Sequence, residues 1–211
     1  MLAESLVEIL KIYRDDGVDF LPKAISEKEL LIDNLKKEVK NCKKCTLFKS
    51  RKNIVFGEGN LYAKLMFIGE APGKYEDLSG KPFVGDAGKL LSKIIDAMHL
   101  KREDVYICNI LKCRPPNNRD PLPEEVEKCL PFLIKQIELI KPEIIVTLGK
   151  ISTSVLLNTS EKINKLRGKF YNYKGIKLLP TFHPAHLLHH PENKKFVWHD
   201  MQLVMKELNL N

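Results

Sequence analysis

The sequence contains no apolar run approaching the roughly 18–20 residues that a membrane-spanning helix needs, so no span is expected. It contains no internal repeat and no low-complexity tract. The opening stretch, MLAESLVEIL, is acidic and amphipathic and lacks the basic head and small-residue cleavage site of a secretory signal. A soluble, cytoplasmic protein is therefore expected. Cysteine is scarce: the five are Cys42, Cys45, Cys108, Cys113 and Cys129. In a reducing compartment these should be thiols or metal ligands rather than disulfides. Their odd number leaves at least one outside any four-ligand site.

What is present fits one α/β domain. The chain has 211 residues, 44% of them apolar, enough for a packed core. Lys plus Arg number 35 against 27 Asp plus Glu, a net charge of +8. That excess favours a polyanionic partner such as nucleic acid, although charge alone is a weak signal.

Residues 1–14 read as a short amphipathic helix, followed by the loop DDGVDFLPKA. A second helix starts at Ser26, with Glu29 three residues on as a capping box, and stops near Asn41. Residues 1–40 are read as a helical extension to a domain spanning 41–211. From Leu65 strands and helices alternate. LMFIG (65–69), VYICNI (105–110), EIIVTLG (143–149) and IKLLPTF (176–182) read as core strands, with KFYNY as an edge strand. Helices are expected over KLLSKIIDAM, after Asp120-Pro121, over about 150–157, and around Phe196–Leu208. Apolar strands alternating with helices imply a parallel sheet covered on both faces. Ligands of such sheets sit beyond the carboxyl ends of the strands.

Three unusual segments occupy those ends: Gly69-Glu70-Ala71-Pro72-Gly73 after the first strand, Asn109 closing the second, and His183-Pro184-Ala185-His186 after the last. Each alone reads as a turn or a structural residue. Together they would set a carboxylate, an amide and an imidazole around one cleft. The first loop continues to Phe83, which is read as an exposed aromatic able to stack on a flat base. Cys42-x-x-Cys45 with Cys113 and Cys129 makes a four-thiolate site, and spacing alone leaves zinc and a [4Fe–4S] cluster both open. Cys108, inside a strand, reads as a small core residue.

GEGN (57–60), GEAPG (69–73), ED..GKPFVG.AGKLL (76–91), VYICNILKCRPPNNRDP (105–121), EEVEKC and TFHPA, in this order, resemble the family 4 uracil-DNA glycosylases over roughly residues 40–205. The resemblance implies an αβα sandwich, three layers around a four-stranded parallel sheet with N-terminal helices added. It implies a [4Fe–4S] cluster on Cys42, Cys45, Cys113 and Cys129, and removal of uracil from DNA by hydrolysis of the N-glycosidic bond. Phe83 would stack on the flipped uracil, Asn109 would read its Watson–Crick edge, and Glu76 would wall off the position of thymine's methyl. Glu70, Ala71 and Pro72 would line the pocket, and His183 would face O2. Where the wider superfamily has a water-activating Asp, this chain has Ala71, which leaves Glu70 and His183 as the catalytic candidates. The last loop departs from the family pattern, with His186 in place of a Tyr and His189 in place of an Arg. Leu187 and Leu188 are read as wedges into the duplex, and Arg114, Arg119 and Arg167 as phosphate contacts. The expected partner is uracil-containing DNA, single- or double-stranded, bound by a monomer; no polymerase or sliding-clamp partner is assigned.

Three other readings compete. A metal-bearing damage sensor would not need Asn109 and His183 together. A zinc base deaminase needs H-x-E and P-C-x-x-C, whereas residues 183–185 are His-Pro-Ala and Asn41 precedes the CxxC. A relative that traps the abasic sugar carries an inserted basic loop that is not seen here.

Overall fold

The structure, a computed structural model, describes residues 26–210; the helix expected over 1–14 lies outside them. Its elements in chain order are α1 (Glu27–Lys40), β1 (Glu58–Gly59), β2 (Leu65–Gly69), α2 (Lys74–Ser79), α3 (Asp86–Ala97), β3 (Tyr106–Asn109), α4 (Pro123–Ile140), β4 (Ile144–Leu148), α5 (Lys150–Leu157), α6 (Ile163–Leu166), β5 (Tyr171–Tyr173), β6 (Ile176–Thr181), α7 (Pro184–His189) and α8 (Lys194–Glu207). Among them, no helix is long and apolar enough to cross a membrane.

One mixed sheet of six strands runs in the order β1-β3-β2-β4-β6-β5: the four expected core strands, the expected edge strand and one more. β3, β2, β4 and β6 pair in parallel, and the short β1 and β5 add antiparallel edges. β2, β3 and β4 are buried along their whole length, which is why they read as continuous apolar runs without alternation. Their side chains still alternate between two cores. Met66 and Ile68 face a cluster with Ile32, Leu35 and Val39 of α1 and Phe132, Leu133 and Ile137 of α4. Leu65 and Phe67 face the opposite cluster, with Leu91 and Ile95 of α3 and Val197, Met201 and Val204 of α8. The result is helix, sheet, helix in three layers.

Local signals set several boundaries. Ser26 caps α1 by accepting from Glu29 N–H at 3.2 Å, while Glu29 Oε2 accepts from Ser26 N–H at 2.7 Å. α4 begins at Pro123 rather than directly after Asp120-Pro121, with Pro at its first position. Glu125 is 0% exposed and accepts both Arg119 guanidinium nitrogens, at 2.6 and 2.9 Å, and the Leu122 N–H at 2.8 Å. α2 and α7, six residues each, lie in segments read as loops; a single turn or two carries no periodicity to read.

Beneath β6, Asp200 is 0% exposed. It accepts from Arg167 at 2.5 and 3.1 Å and from Thr181 Oγ1 at 2.6 Å, joining α8 to β6 and to the segment after α6. Removing one partner of a buried pair leaves the other uncompensated. Asp200→Ala should therefore lower unfolding free energy by about 3–5 kcal/mol, read from the denaturant midpoint. A loss below about 1 kcal/mol, the size of an exposed pair, would contradict this account.

Candidate active site

The parallel register aligns Gly69 with Asn109, and Leu148 with Thr181. The segments after β2, β3 and β6 therefore emerge at one edge of the sheet. Gly69 is the point of closest approach. A Cβ placed there would lie 2.3 Å from Asn109 Oδ1 and 2.6 Å from Phe83 Cζ. Only glycine lets the amide and the ring converge on this strand end. Asn109 is 2% exposed, and among the described residues its Oδ1 is buried without a hydrogen-bond partner.

Phe83 departs from the expected exposed position. It is 7% exposed and packs with the α3–α8 core. Its backbone holds φ at +52°, a conformation few aromatic residues adopt, and two side chains keep it there. Arg102 donates to Phe83 O at 3.2 Å and to Pro82 O at 2.9 Å, and pairs with Glu58 at 2.6 Å. Glu76 Oε1 accepts from Val84 N–H at 2.9 Å and Gly85 N–H at 3.0 Å. Arg102 was not singled out from the sequence; an arginine after a helix carries no local signal of a partner nineteen residues away.

His183 caps α7. Its Nδ1 accepts the Ala185 N–H at 3.1 Å. A backbone amide can only donate, so Nδ1 is the bare nitrogen and, in the neutral ring, the proton sits on Nε2. Burial pulls the imidazole down to about 4, partly opposed by Glu76, so the ring is neutral at physiological pH. Its centroid lies 5.6 Å from that of Phe83. Gly149, at φ +92°, lets β4 turn into α5 directly against it: a Cβ there would lie 2.9 Å from His183 Cβ. Glu70 moves the opposite way. Burial, reinforced by Asp120, raises it to about 7.

These side chains enclose a cavity of about 310 Å³, at the lower end of small-ligand pockets. Glu70, Ala71, Pro72, Glu76, Phe83, Asn109 and His183 all line it, so every predicted pocket residue is brought to one site. Arg119 lines it as well.

The candidate DNA contacts divide. Leu187 is 1% exposed and belongs to the core, so it has no free surface to insert between bases. Leu188, 45% exposed, does. Arg119 and Arg167 are committed to the buried carboxylates Glu125 and Asp200, which cancels much of the charge expected to meet phosphates. Arg114 bonds only the neutral amide of Asn118, at 2.7 Å. A second cavity, about 690 Å³, adjoins the first through their shared His183. Lys150, Arg167, His186 and Phe196 line it, no acidic residue does, and Arg167 and Lys195 both lie over the Phe196 ring.

On the other side of the sheet, Cys42, Cys45, Cys113 and Cys129 line one small cavity; Cys108 stays in the core beside Met66 and Ile68. All five are free thiols. Arg51 donates to Cys113 Sγ at 3.2 Å, and Lys112 N–H donates to Cys129 Sγ at 3.3 Å. Burial raises the Cys45 and Cys113 thiols, and takes Cys129 to about 11. Among the described residues no three His, Cys, Asp or Glu side chains gather tightly enough for one metal ion.

The chain matches the model of the uracil DNA glycosylase superfamily over residues 56–202. It is 52% identical to the type-4 uracil-DNA glycosylase of Saccharolobus solfataricus over 187 residues, 84% of this chain and 87% of that protein. It is 47% identical to the type-4 uracil-DNA glycosylase of Archaeoglobus fulgidus over 76% of this chain and 85% of the relative. The Thermotoga maritima type-4 enzyme is 46% identical over 79% and 88%. With its pocket residues gathered at the strand ends and its match running through both faces of the sheet, the chain belongs to the type-4 branch of the uracil-DNA glycosylase superfamily.

Proposed function

We propose that this chain excises uracil from DNA, leaving an abasic site, and that Asn109 makes the choice of base. The supporting observation is its unpartnered Oδ1. A buried amide oxygen without a donor costs about 1–3 kcal/mol, and uracil supplies the missing donor. Uracil N3–H would bond Oδ1, while Nδ2 donates to O4. Cytosine has a bare N3 and an amino group at that edge, so it would set acceptor against acceptor and donor against donor.

A base must leave the duplex to reach a pocket of this size. Phe83, locked by Arg102 and Glu76, would give the extruded ring a fixed stacking face. Glu76, tied to two backbone N–H groups, would close the position of a 5-methyl group. As the C1′–N1 bond lengthens, negative charge collects on O2. His183, with Nε2–H as its free donor, would meet that charge as a neutral group and hold it by a preorganised hydrogen bond. Ala71 supplies no base, so water would be oriented by Glu70, which is partly ionised near neutrality. Leu188 would fill the gap left in the stack, and Arg114 and the basic surface of the adjoining cavity would meet phosphates. We place the enzyme, as a monomer, in the cytoplasm, where five free thiols are stable.

We further assign Cys42, Cys45, Cys113 and Cys129 to a [4Fe–4S] cluster. Four thiols face one cavity, and N–H donors from Arg51 and Lys112 point at two of the sulfurs, as cluster sulfurs require. Once bound, the cluster would tie the segment after α1, the segment after β3 and α4 together.

Asn109→Ala should lower kcat/KM on a uracil oligonucleotide at least 100-fold, about 2.7 kcal/mol; near-normal excision would remove Asn109 from the site. Above its raised value Glu70 is a carboxylate, so kcat/KM should rise with pH through about 7. His183, pulled down to about 4, should add no inflection above pH 5. Glu70→Gln should flatten the rise, and an unchanged profile would take water orientation away from Glu70. Cys113→Ser should lose iron, visible absorption and thermal stability together. A colourless variant of full stability, or zinc in the wild-type chain, would reverse the cluster assignment.

A further inference from the structure

Lys112 is a full-length lysine side chain sealed inside the molecule, 1% exposed, and among the described residues no carboxylate pairs with it. An isolated buried ammonium is costly, so its surroundings must compensate. Nζ donates to the backbone carbonyl of Asn109 at 2.8 Å. The rest of the residue is pinned: its N–H donates to Cys129 Sγ at 3.3 Å, and its carbonyl accepts from Val55 N–H at 2.9 Å. Lys112 lines the cysteine cavity, and the residue it holds lines the uracil pocket.

We propose that Lys112 is a positioning residue that links the cysteine site to the uracil reader: its N–H is anchored on Cys129 Sγ, and its Nζ holds the Asn109 carbonyl. This rests on the function and cluster proposed above and adds a coupling between them. The Asn109 side chain bonds no other residue through Oδ1, so its direction depends on the backbone from which it springs. Lys112 holds that backbone through its carbonyl.

The test compares wild type, Lys112→Met and Lys112→Arg as purified holoproteins. Iron content, cluster reduction potential, affinity for an abasic oligonucleotide and inhibition by free uracil are measured on each. K112M should keep its iron and bind abasic DNA like wild type. It should be inhibited by free uracil about tenfold more weakly, the size of one hydrogen bond from a charged donor. Its potential should move to a more negative value, because a buried cation that favours the added electron has gone. K112R, retaining charge and donors, should recover uracil inhibition to within about threefold. If K112M does not assemble, K112R carries the test: iron retained with uracil inhibition lost overturns the inference. K112M with wild-type potential and wild-type uracil inhibition overturns it too. Wild type without iron or without uracil release overturns the reading beneath it; wild type with both, beside an indifferent K112M, overturns the coupling alone.

Discussion

One amide oxygen organises the proposed uracil pocket. Asn109 Oδ1 sits at the carboxyl end of a parallel strand with no donor to satisfy it, and a folded chain keeps such a group only where the surroundings forbid relief. Here they do. Gly69 brings the neighbouring strand end close enough to wall the amide in, and the Phe83 ring closes against the same glycine. The ring stays because Arg102 and Glu76 hold the two sides of its loop. Fold stability is thus spent on preorganisation, and a ligand with the right donor recovers it.

Basic residues are used against first expectation. A net charge of +8 suggests a surface ready for phosphates, yet several of the candidate cations point inward. Arg119 and Arg167 neutralise buried carboxylates, Arg102 clamps a loop, and Lys112 lies among thiols. Arg102 and Arg167 join segments distant in sequence. What remains for the proposed DNA contact is a smaller set: Arg114, exposed Leu188, and Lys150 lining one cavity with exposed Phe196. In the proposed function, base choice would come from the pocket, while the outer charges would supply attraction that is insensitive to sequence.

Legibility in the sequence followed the range of the interaction. Strands β2, β3, β4 and β6 were readable because apolar runs bounded by Gly and Pro are local signals, and the Ser26–Glu29 box fixed a helix start from four residues. The pocket residues were reachable because strand ends in such sheets converge by rule. Burial was harder. Phe83 lies among glycines that read as an exposed loop, but the loop folds back and a φ of +52° turns the ring inward. Leu187 and Leu188 are identical in type, and only the phase of a six-residue helix separates core from surface. The edge strand β5 falls within KFYNY, where it was expected, whereas β1, two residues long, has no pattern to detect. Arg51 and Arg102 were unreadable for one reason: each acts on a partner brought near by tertiary folding alone.

The two titrating groups of the pocket point to a common electrostatic design. Burial pushes Glu70 up and His183 down, so the same dry environment moves both toward their uncharged forms. A leaving group that becomes an anion gains from meeting little standing negative charge and from a donor already aimed at it. A protonated His183 would attract that anion more strongly, but holding the proton in so buried a site would itself be costly. A neutral ring whose tautomer is set by the Ala185 N–H needs no protonation before the bond breaks, and its donor is in place when charge first appears. The absence of a dedicated base at Ala71 fits the same economy: with the departing base stabilised first, the electron-poor sugar that remains demands less of the water that attacks it.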